Sequence, residues 1–171
     1  MQTWEAIAAR RNVREFSARP VLPAELDRIL EAGRRAPSAN NRQHRDFVLC
    51  TERDQLQALA QNWQWGRHVA GSAATVVVVV PVPATSRDAE LDMFDAGQAV
   101  MAMMLAAADL GIGSGHASVG DQAQLRRLLG VPESHQGVCM VALGYPAGQP
   151  LAPLKKVDRR PFAEVVHRGK W

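Results

Sequence analysis

The sequence is poor in cysteine, in aromatic residues and in charge of one sign, and each shortage argues against a class of protein. Its two cysteines, Cys50 and Cys139, lie far apart in apolar surroundings without CxxC spacing. We therefore expect buried thiols rather than a disulfide framework or metal ligands. A net charge of +3 and an aromatic content of 5% are too small for a typical nucleic-acid-binding surface.

The sequence also has little that suggests export or a membrane. The first residues, MQTWEAIAARR, lack the apolar stretch of a signal peptide, and no window of about 18 apolar residues is free of charge. We therefore expect a cytoplasmic protein. Because 47% of the 171 residues are apolar, residues 1–171 can form a single domain with a real core. From about residue 146 to residue 171 the proline-rich end suits an arm that reaches a partner subunit.

Apolar periodicity predicts five helices and three strands. The predicted helices span residues 3–11, 23–36, 52–64, 91–111 and 121–130, and the predicted strands span residues 47–51, 74–82 and 137–146. We expect Thr3 to cap the first helix, Pro23 to occupy the first turn of the second, and Gly130 to end the fifth. The five consecutive valines of the second strand predict burial on both faces. Residues 111–120, GIGSGHASVG, read as a glycine-rich loop.

The predicted helix at residues 91–111 is apolar nearly all the way round. Its small residues would allow another helix to approach closely; they are Ala96, Gly97, Ala99 and Ala102. We interpret this helix as part of a dimer interface, and the alternative is the central core helix of a monomer.

Basic residues cluster near both ends of the sequence. The first cluster is Arg10, Arg11 and Arg14, and the second is Lys155, Lys156, Arg159 and Arg160. Both clusters could converge on one anion, because guanidinium groups bind phosphate through paired hydrogen bonds. For the first cluster alone, a solvated basic helix end is an equal alternative.

Several catalytic signatures are missing. The glycines of GIGSG follow a helix rather than a strand and do not have the G-x-G-x-x-G spacing of a dinucleotide fold. HExxH, G-x-S-x-G and any assembled nucleophile, base and acid are absent as well. We therefore predict no metal site and no catalytic side chain, a pattern that suits an enzyme whose chemistry belongs to a cofactor.

Six segments in a fixed order carry a resemblance to a known family. They are RRNVREF, APSANNRQ, DAGQAVMAMMLAAADLGIGSG, LRRLLGVPE, VALGYP and RRPFAEVV, and together the chain closely resembles the nitroreductase family of FMN-dependent oxidoreductases. The resemblance implies an α+β fold with a central, mostly antiparallel sheet flanked by helices. It also implies an intertwined homodimer with two interfacial FMN sites. NAD(P)H and nitroaromatic, quinone-like or other conjugated acceptors would react by a ping-pong mechanism.

The resemblance also assigns cofactor-binding residues. The FMN phosphate, ribityl chain and pyrimidine edge would be contacted by Arg10, Arg11, Asn12 and Arg14, with a further phosphate contact from Arg159. The partner subunit would contribute Pro37, Ser38, Ala39, Asn41 and Gln43. The ring system near N5 would lie along His116, Ala117 and Ser118.

The chain departs from the family pattern at several positions. His44 and Arg45 follow Gln43 where Gln-Pro-Trp is frequent, so we expect a more polar and basic pocket mouth. Val157 falls where a tail lysine is frequent, with Lys156 as its possible substitute, and Ser118 stands where some members have glutamate. The alternative function is a non-catalytic flavin-binding or redox-sensing protein of the same fold.

Overall fold

The computed structural model describes residues 2–154 and 157–171. The predicted roles of Lys155 and Lys156 lie outside the described residues. The helices are α1 (Thr3–Ala9), α2 (Pro23–Arg35), α3 (Arg53–Ala60), α4 (Ser86–Asp109), α5 (Gln122–Leu129) and α6 (Phe162–Val165). The strands are β1 (Asp46–Cys50), β2 (Ala74–Pro81), β3 (Gly113–Ala117) and β4 (His135–Gly144), and short 3₁₀ turns span Ala39–Asn41 and Arg67–Gly71. All five predicted helices and all three predicted strands are confirmed.

The four strands form one antiparallel sheet in the order β1-β2-β4-β3. The valines of β2 alternate between two apolar clusters, one on each face of the sheet. Val76 and Val78 pack with α2 and α4, while Val77 and Val79 pack with α3 and α5. This two-sided burial explains the uninterrupted valine run, and it confirms an α+β fold with a mostly antiparallel sheet flanked by helices.

Helix α4 begins five residues before the predicted start, because the Thr85 hydroxyl accepts a hydrogen bond from the Asp88 N–H at 3.1 Å and caps it. Ala96 and Ala99 are buried against the body of the same chain. Both residues are thus already buried within one chain, and the interpretation of this helix as part of a dimer interface stays a prediction. Gly97 stays exposed on another side of the helix.

By length and composition α4 could span a bilayer, the one such helix within the described residues. Its buried residues instead pack against the sheet and α2, among them Met103, Met104 and Ala107. The apolar composition of α4 is thus explained by its central position in the fold.

The prediction of a glycine-rich loop at residues 111–120 is wrong for residues 113–117, while residues 118–120 have no regular secondary structure. Residues Gly113–Ala117 form edge strand β3, which pairs with β4. Its glycines let the segment after α1 approach closely, because a Cβ at Gly113 would lie 2.8 Å from the Cβ of Val13. A Cβ at Gly115 would likewise clash with the Val13 carbonyl oxygen.

The predicted helix ends are mostly correct. Pro23 is the first residue of α2, and Gly130 ends α5 with a φ of +68°. Thr3 is wrong as the cap of α1, because it is already helical. The residue before the helix is Gln2, whose backbone N–H donates to the Glu5 carboxylate at 2.9 Å. Because the start of α1 is exposed, its first N–H groups do not need a side-chain acceptor at Thr3.

Candidate functional site

The candidate site forms where the segment after α1 crosses β3 beside α4. Asn12 pairs in parallel with Ser114, and the Val13 N–H donates to the Ser114 carbonyl at 2.8 Å. This crossing brings residues 10–12 next to residues 116–118, two groups that are about a hundred positions apart in the sequence. The close glycine contacts of β3 are therefore what assembles the site.

A cavity of about 500 Å³, here called the α4 cavity, opens at this crossing. Its polar lining consists of Arg10, Asn12, His116, Ser118 and Arg159. Its other lining residues are Met93, Ala96, Gly97, Val100, Met101, Met104, Ala117, Val138 and Cys139. The cavity thus combines an apolar wall from α4 and β4 with a polar rim, to which residues near the start, the middle and the end of the sequence contribute.

The rim of the cavity carries positive charge without a matching carboxylate. Arg10 and Arg159 both line it, so one arginine from each basic cluster reaches the same cavity. Their predicted convergence on one anion stays a prediction. Within residues 2–154 and 157–171, no Asp or Glu forms an ion pair with Arg10 or Arg159. Arg160 turns away and lies 3.5 Å from the Glu164 carboxylate. The rim is therefore suited to an anionic group.

Arg11 and Arg14 lie outside the cavity. The Arg11 guanidinium donates to the carbonyls of Gln149 and Pro150 at 3.0 and 3.2 Å, which fastens the start of the C-terminal segment. Arg14 lies near His68, whose pKa is lowered by burial and further by this cation. Contact of either arginine with a cofactor stays a prediction.

The loop at residues 37–43 does not line the α4 cavity of its own chain. Pro37, Asn41 and Gln43 are exposed, whereas Ser38 and Ala39 are half-buried and hold the loop together. The Ser38 hydroxyl accepts from the Gln43 N–H at 3.0 Å. The assignment of these five residues to a partner subunit's site therefore stays a prediction.

Arg45 does not contribute to a basic pocket mouth, and that prediction is wrong. Its side chain is buried, with 8% exposed, and donates to the Ala36 carbonyl just after the last residue of α2. A guanidinium is stabilised there by the free carbonyl groups and dipole of the helix end. His44 is half-buried, and its Nδ1 lies 3.4 Å from an Asp92 carboxylate oxygen.

Several residues in or beside the site were not predicted from the sequence. Met93, Met101 and Met104 line the cavity, and their spacing along α4 could have indicated a shared face. Cys139 also lines it, but burial raises the pKa of its thiol to about 11, so it stays protonated at neutral pH. His68 lies against Gly115, and no sequence pattern marked it.

The lining residues suit a flat aromatic ligand with an anionic tail. Thioether and aliphatic groups offer polarizable contacts to a ring, and the arginines of the rim offer charge-assisted hydrogen bonds to an anion. The described residues include no group of three or more His, Cys, Asp or Glu side chains that could hold a metal ion. These donors and this shape fit FMN, whose ring is apolar on its faces and whose phosphate is charged.

Comparisons with known proteins agree with this geometry. A family model described as "Nitroreductase family" matches residues 7–145, which include every residue lining the α4 cavity except Arg159. A protein of Archaeoglobus fulgidus with the provisional name NADH dehydrogenase/NAD(P)H nitroreductase is 30% identical over 169 residues, 96% of each chain.

Two solved structures extend the likeness to three dimensions. Nitroreductase A from Vibrio parahaemolyticus has a TM-score of 0.88 at 25% identity, covering 100% of this chain and 77% of that one. The NADPH:FMN oxidoreductase of Vibrio harveyi, solved with NAD+, has a TM-score of 0.86 at 26% identity, covering 99% of this chain and 77% of that one. The similarity therefore extends over the whole architecture described above.

Proposed function

Because the chain belongs to the nitroreductase family, we propose that it is an FMN-dependent NAD(P)H oxidoreductase that reduces nitroaromatic, quinone-like or other conjugated acceptors. The names of its relatives support the flavin and nicotinamide parts of this function. The observation that carries the proposal is the pair of arginines, Arg10 and Arg159, on a cavity whose other lining residues are mostly apolar. We further propose that the protein works in the cytoplasm.

The residues of the α4 cavity would hold FMN by its two chemically different ends. A phosphate monoester carries about −1.5 to −2 charges near neutral pH, and arginine stays protonated at any pH at which the protein folds. Arg10 and Arg159 are therefore suited to the phosphate. The exposed amide of Asn12 is suited to a ribityl hydroxyl or a ring carbonyl.

When bound, FMN would supply hydride and electron transfer between NAD(P)H and the acceptor. His116 and Ser118 are exposed beside the cavity, where they would border one open face of the ring. NAD(P)H and the acceptor would take turns at that face, which gives ping-pong kinetics. No side chain need act as acid or base, because solvent reaches the same face and can supply the proton.

We propose that the active unit is a homodimer. Trp4 and Phe94 are 75% and 68% exposed, unusually high for large apolar side chains on ordered helices. A second cavity of about 540 Å³ adjoins the first and shares Arg10, Met101 and Arg159 with it. A second copy of the chain that covers this surface could bring its 37–43 loop to the α4 cavity.

The test is whether the purified protein carries a reducible flavin. We expect absorption of oxidised flavin that bleaches when NAD(P)H is added without oxygen and returns when a nitroaromatic or quinone acceptor follows. A protein that takes up no FMN would refute the proposal. A protein that binds FMN but oxidises no NAD(P)H in the steady state with any acceptor would instead support the flavin-binding or redox-sensing alternative.

A pair of arginine variants tests the phosphate site. Arg10→Ala should weaken FMN binding by about 10- to 100-fold, since a hydrogen-bonded charge pair is lost. Arg87→Ala is the matched control, because Arg87 is exposed on α4 and, among the described residues, forms a side-chain hydrogen bond and ion pair only with Glu90. Equal FMN affinity in the two variants, measured by fluorescence titration, would contradict the role given to Arg10.

A further inference from the structure

The 37–43 loop is held in an unusual backbone conformation. Asn40, Asn41 and Gln43 have φ values of +50°, +54° and +56°, the only positive values at non-glycine residues within the described chain. Asparagine tolerates this left-handed conformation, but glutamine seldom adopts it. A short exposed loop with three such residues persists only when its surroundings fix it.

Helix α4 supplies part of that support through a buried carboxylate. The Ala39 N–H donates to Oδ2 of Asp95 at 3.0 Å, across 56 positions of sequence. Asp95 is only 3% exposed, and its other hydrogen bond, from the Gln98 amide, is long at 3.5 Å. Loss of a hydrogen-bond partner is costly in free energy for a buried carboxylate. The hydrogen bond from Ala39 therefore fixes the start of the turn firmly.

A second attachment joins the same face of α4 to Arg42, near the end of the loop. The Arg42 guanidinium lies 3.0 Å from the Asp88 carboxylate and 3.5 Å from the Asp92 carboxylate, and Asp92 is 2% exposed. Positions 88, 92 and 95 are spaced four and three apart, so their side chains share one face of the helix. The loop is therefore attached to α4 on both sides of Asn40 and Asn41, and Gln43 directly follows the second attachment.

The helix thus carries two features on different faces. At about 100° per residue, Met93, Gly97 and Met101 lie roughly opposite the three aspartates. The face with Met93, Gly97 and Met101 lines the α4 cavity, and the face with the three aspartates contacts the loop. A single rigid helix therefore fixes both the cavity wall and the loop that we assign to a partner's cofactor.

We propose that Asp95 is a positioning residue that, together with Arg42, holds the 37–43 loop in the conformation that binds the FMN of the partner subunit. This inference rests on the proposed function. Asp95 does not touch the cofactor; it acts through the backbone of Ala39. Its energetic role is to prepare the loop in advance, so that binding does not have to order it.

The experiment combines hydrogen exchange with flavin release in three variants of the full-length protein. Asp95→Ala removes the acceptor, and Asp95→Asn keeps an amide oxygen in its place. Glu90→Gln removes an exposed carboxylate of α4 whose ion pair, among the described residues, is with Arg87 alone. Exchange is followed by mass spectrometry on the peptide containing residues 37–43. Flavin release is followed by the fluorescence of FMN after dilution of the purified protein.

We expect Asp95→Ala to speed exchange in this peptide, and the release of FMN, by about tenfold or more, because a hydrogen bond to a charged group is lost. Asp95→Asn and Glu90→Gln should stay within about twofold of the unmodified protein. Peptides from β2 should exchange at unchanged rates in all three, which separates the local effect from a loss of global stability. Should Asp95→Ala not fold, Arg42→Gln breaks the attachment from the loop side and should give the same two changes.

Any of three results would overturn the inference. Unchanged exchange of the loop in Asp95→Ala would mean that the aspartate does not hold it. Faster exchange of the loop with an unchanged rate of FMN release would mean that the hydrogen bond to Asp95 does not affect cofactor binding. Equal increases in the rate of FMN release in Asp95→Asn and Asp95→Ala would mean that the acceptor oxygen at this position is not what matters. If the unmodified protein bound no FMN, the proposed function would fail, while hydrogen exchange would still report on the attachment of the loop.

Discussion

The crossing of the segment after α1 over β3 depends on the absence of a side chain at Gly113. An alanine Cβ there would lie 2.8 Å from both Cβ and Cγ2 of Val13, and 2.9 Å from its Cγ1. Carbon atoms normally stay about 3.5–4.0 Å apart. Rotation of the Val13 side chain cannot relieve the contact, because Cβ itself is one of the clashing atoms. The two backbone segments must therefore separate by several tenths of an ångström or more.

The cost of Gly113→Ala follows from this separation. Overpacking of a tight interior costs about 1–3 kcal/mol, and loss of the hydrogen bond from the Val13 N–H to the Ser114 carbonyl adds about 1 kcal/mol. We expect the free energy of unfolding to fall by about 2–4 kcal/mol. For a chain of this length, the melting temperature should then fall by about 4–16 °C. FMN retention should fall as well, because Asn12 and His116 move apart.

Thermal and urea unfolding measure this effect against two comparison variants. Gly71→Ala is the control, since a Cβ at exposed Gly71 meets no atom within 4 Å and its φ is not positive. Val13→Ala removes two of the three clashing carbons, so Gly113→Ala should cost less in that background than alone. Equal stability of Gly113→Ala and Gly71→Ala would refute the reasoning, as would identical costs in the two backgrounds.

Three further predictions follow from buried polar contacts and from the thiols. Tyr145→Phe should lower the free energy of unfolding at pH 7 by about 1–2 kcal/mol, because the Tyr145 hydroxyl donates to the Glu25 carboxylate at 2.6 Å. Because that bond lowers the pKa of Glu25, the stability it gives is present above the ordinary value of 4.5 and is lost as pH falls through the pKa of the folded state. The cost of Tyr145→Phe, measured by urea unfolding, should therefore be smaller at pH 3 than at pH 7. An equal cost at the two pH values would contradict this. Asn62→Ala should lower the free energy of unfolding by about 2–4 kcal/mol in the same assay. The Asn62 side-chain amide donates to the Asp121 carbonyl at 2.8 Å and accepts from the Gly120 N–H at 2.9 Å. A decrease below about 0.5 kcal/mol would contradict this prediction. Burial raises the pKa of Cys50 and of Cys139 to about 11. Thiol reagents at pH 8 should therefore label the folded protein slowly and should label two thiols after denaturation. Rapid labelling of the native protein would contradict this prediction.

The sequence predicted the elements whose signal is local. The apolar stripe of α2 with Pro23 at its start, the valine run of β2 and the left-handed Gly130 after α5 each carry a pattern within a few residues. Predictions that depended on a distant partner were less successful. Gly113 and Gly115 look like loop residues until Val13 is placed against them, and Arg45 looks like a surface cation until it meets the end of α2.

In the candidate site, too, some features could be predicted from local sequence and others depended on distant contacts. The two arginine clusters predicted an anion site, and the structure places Arg10 and Arg159 on one cavity. The roles of Arg11 and of the 37–43 loop could not be settled from the same pattern. Arg11 contacts the C-terminal segment of its own chain, and the loop lies on a different face of α4 from the cavity. A sequence motif gives the residue type that a ligand needs, but not which side of a helix presents it.

The sequence by itself determined the α+β composition, the two-sided burial of β2 and the positive charge available for an anionic ligand, because backbone propensity, apolar period and charge are properties of neighbouring residues. Only the tertiary structure decided that Arg10, Asn12 and residues 116–118 share one cavity, and that the loop containing Asn40, Asn41 and Gln43 is hydrogen-bonded to α4 through Asp95. Those contacts join residues far apart in the chain. Their distances are set by the packing of the whole fold, to which no single segment gives a readable signal.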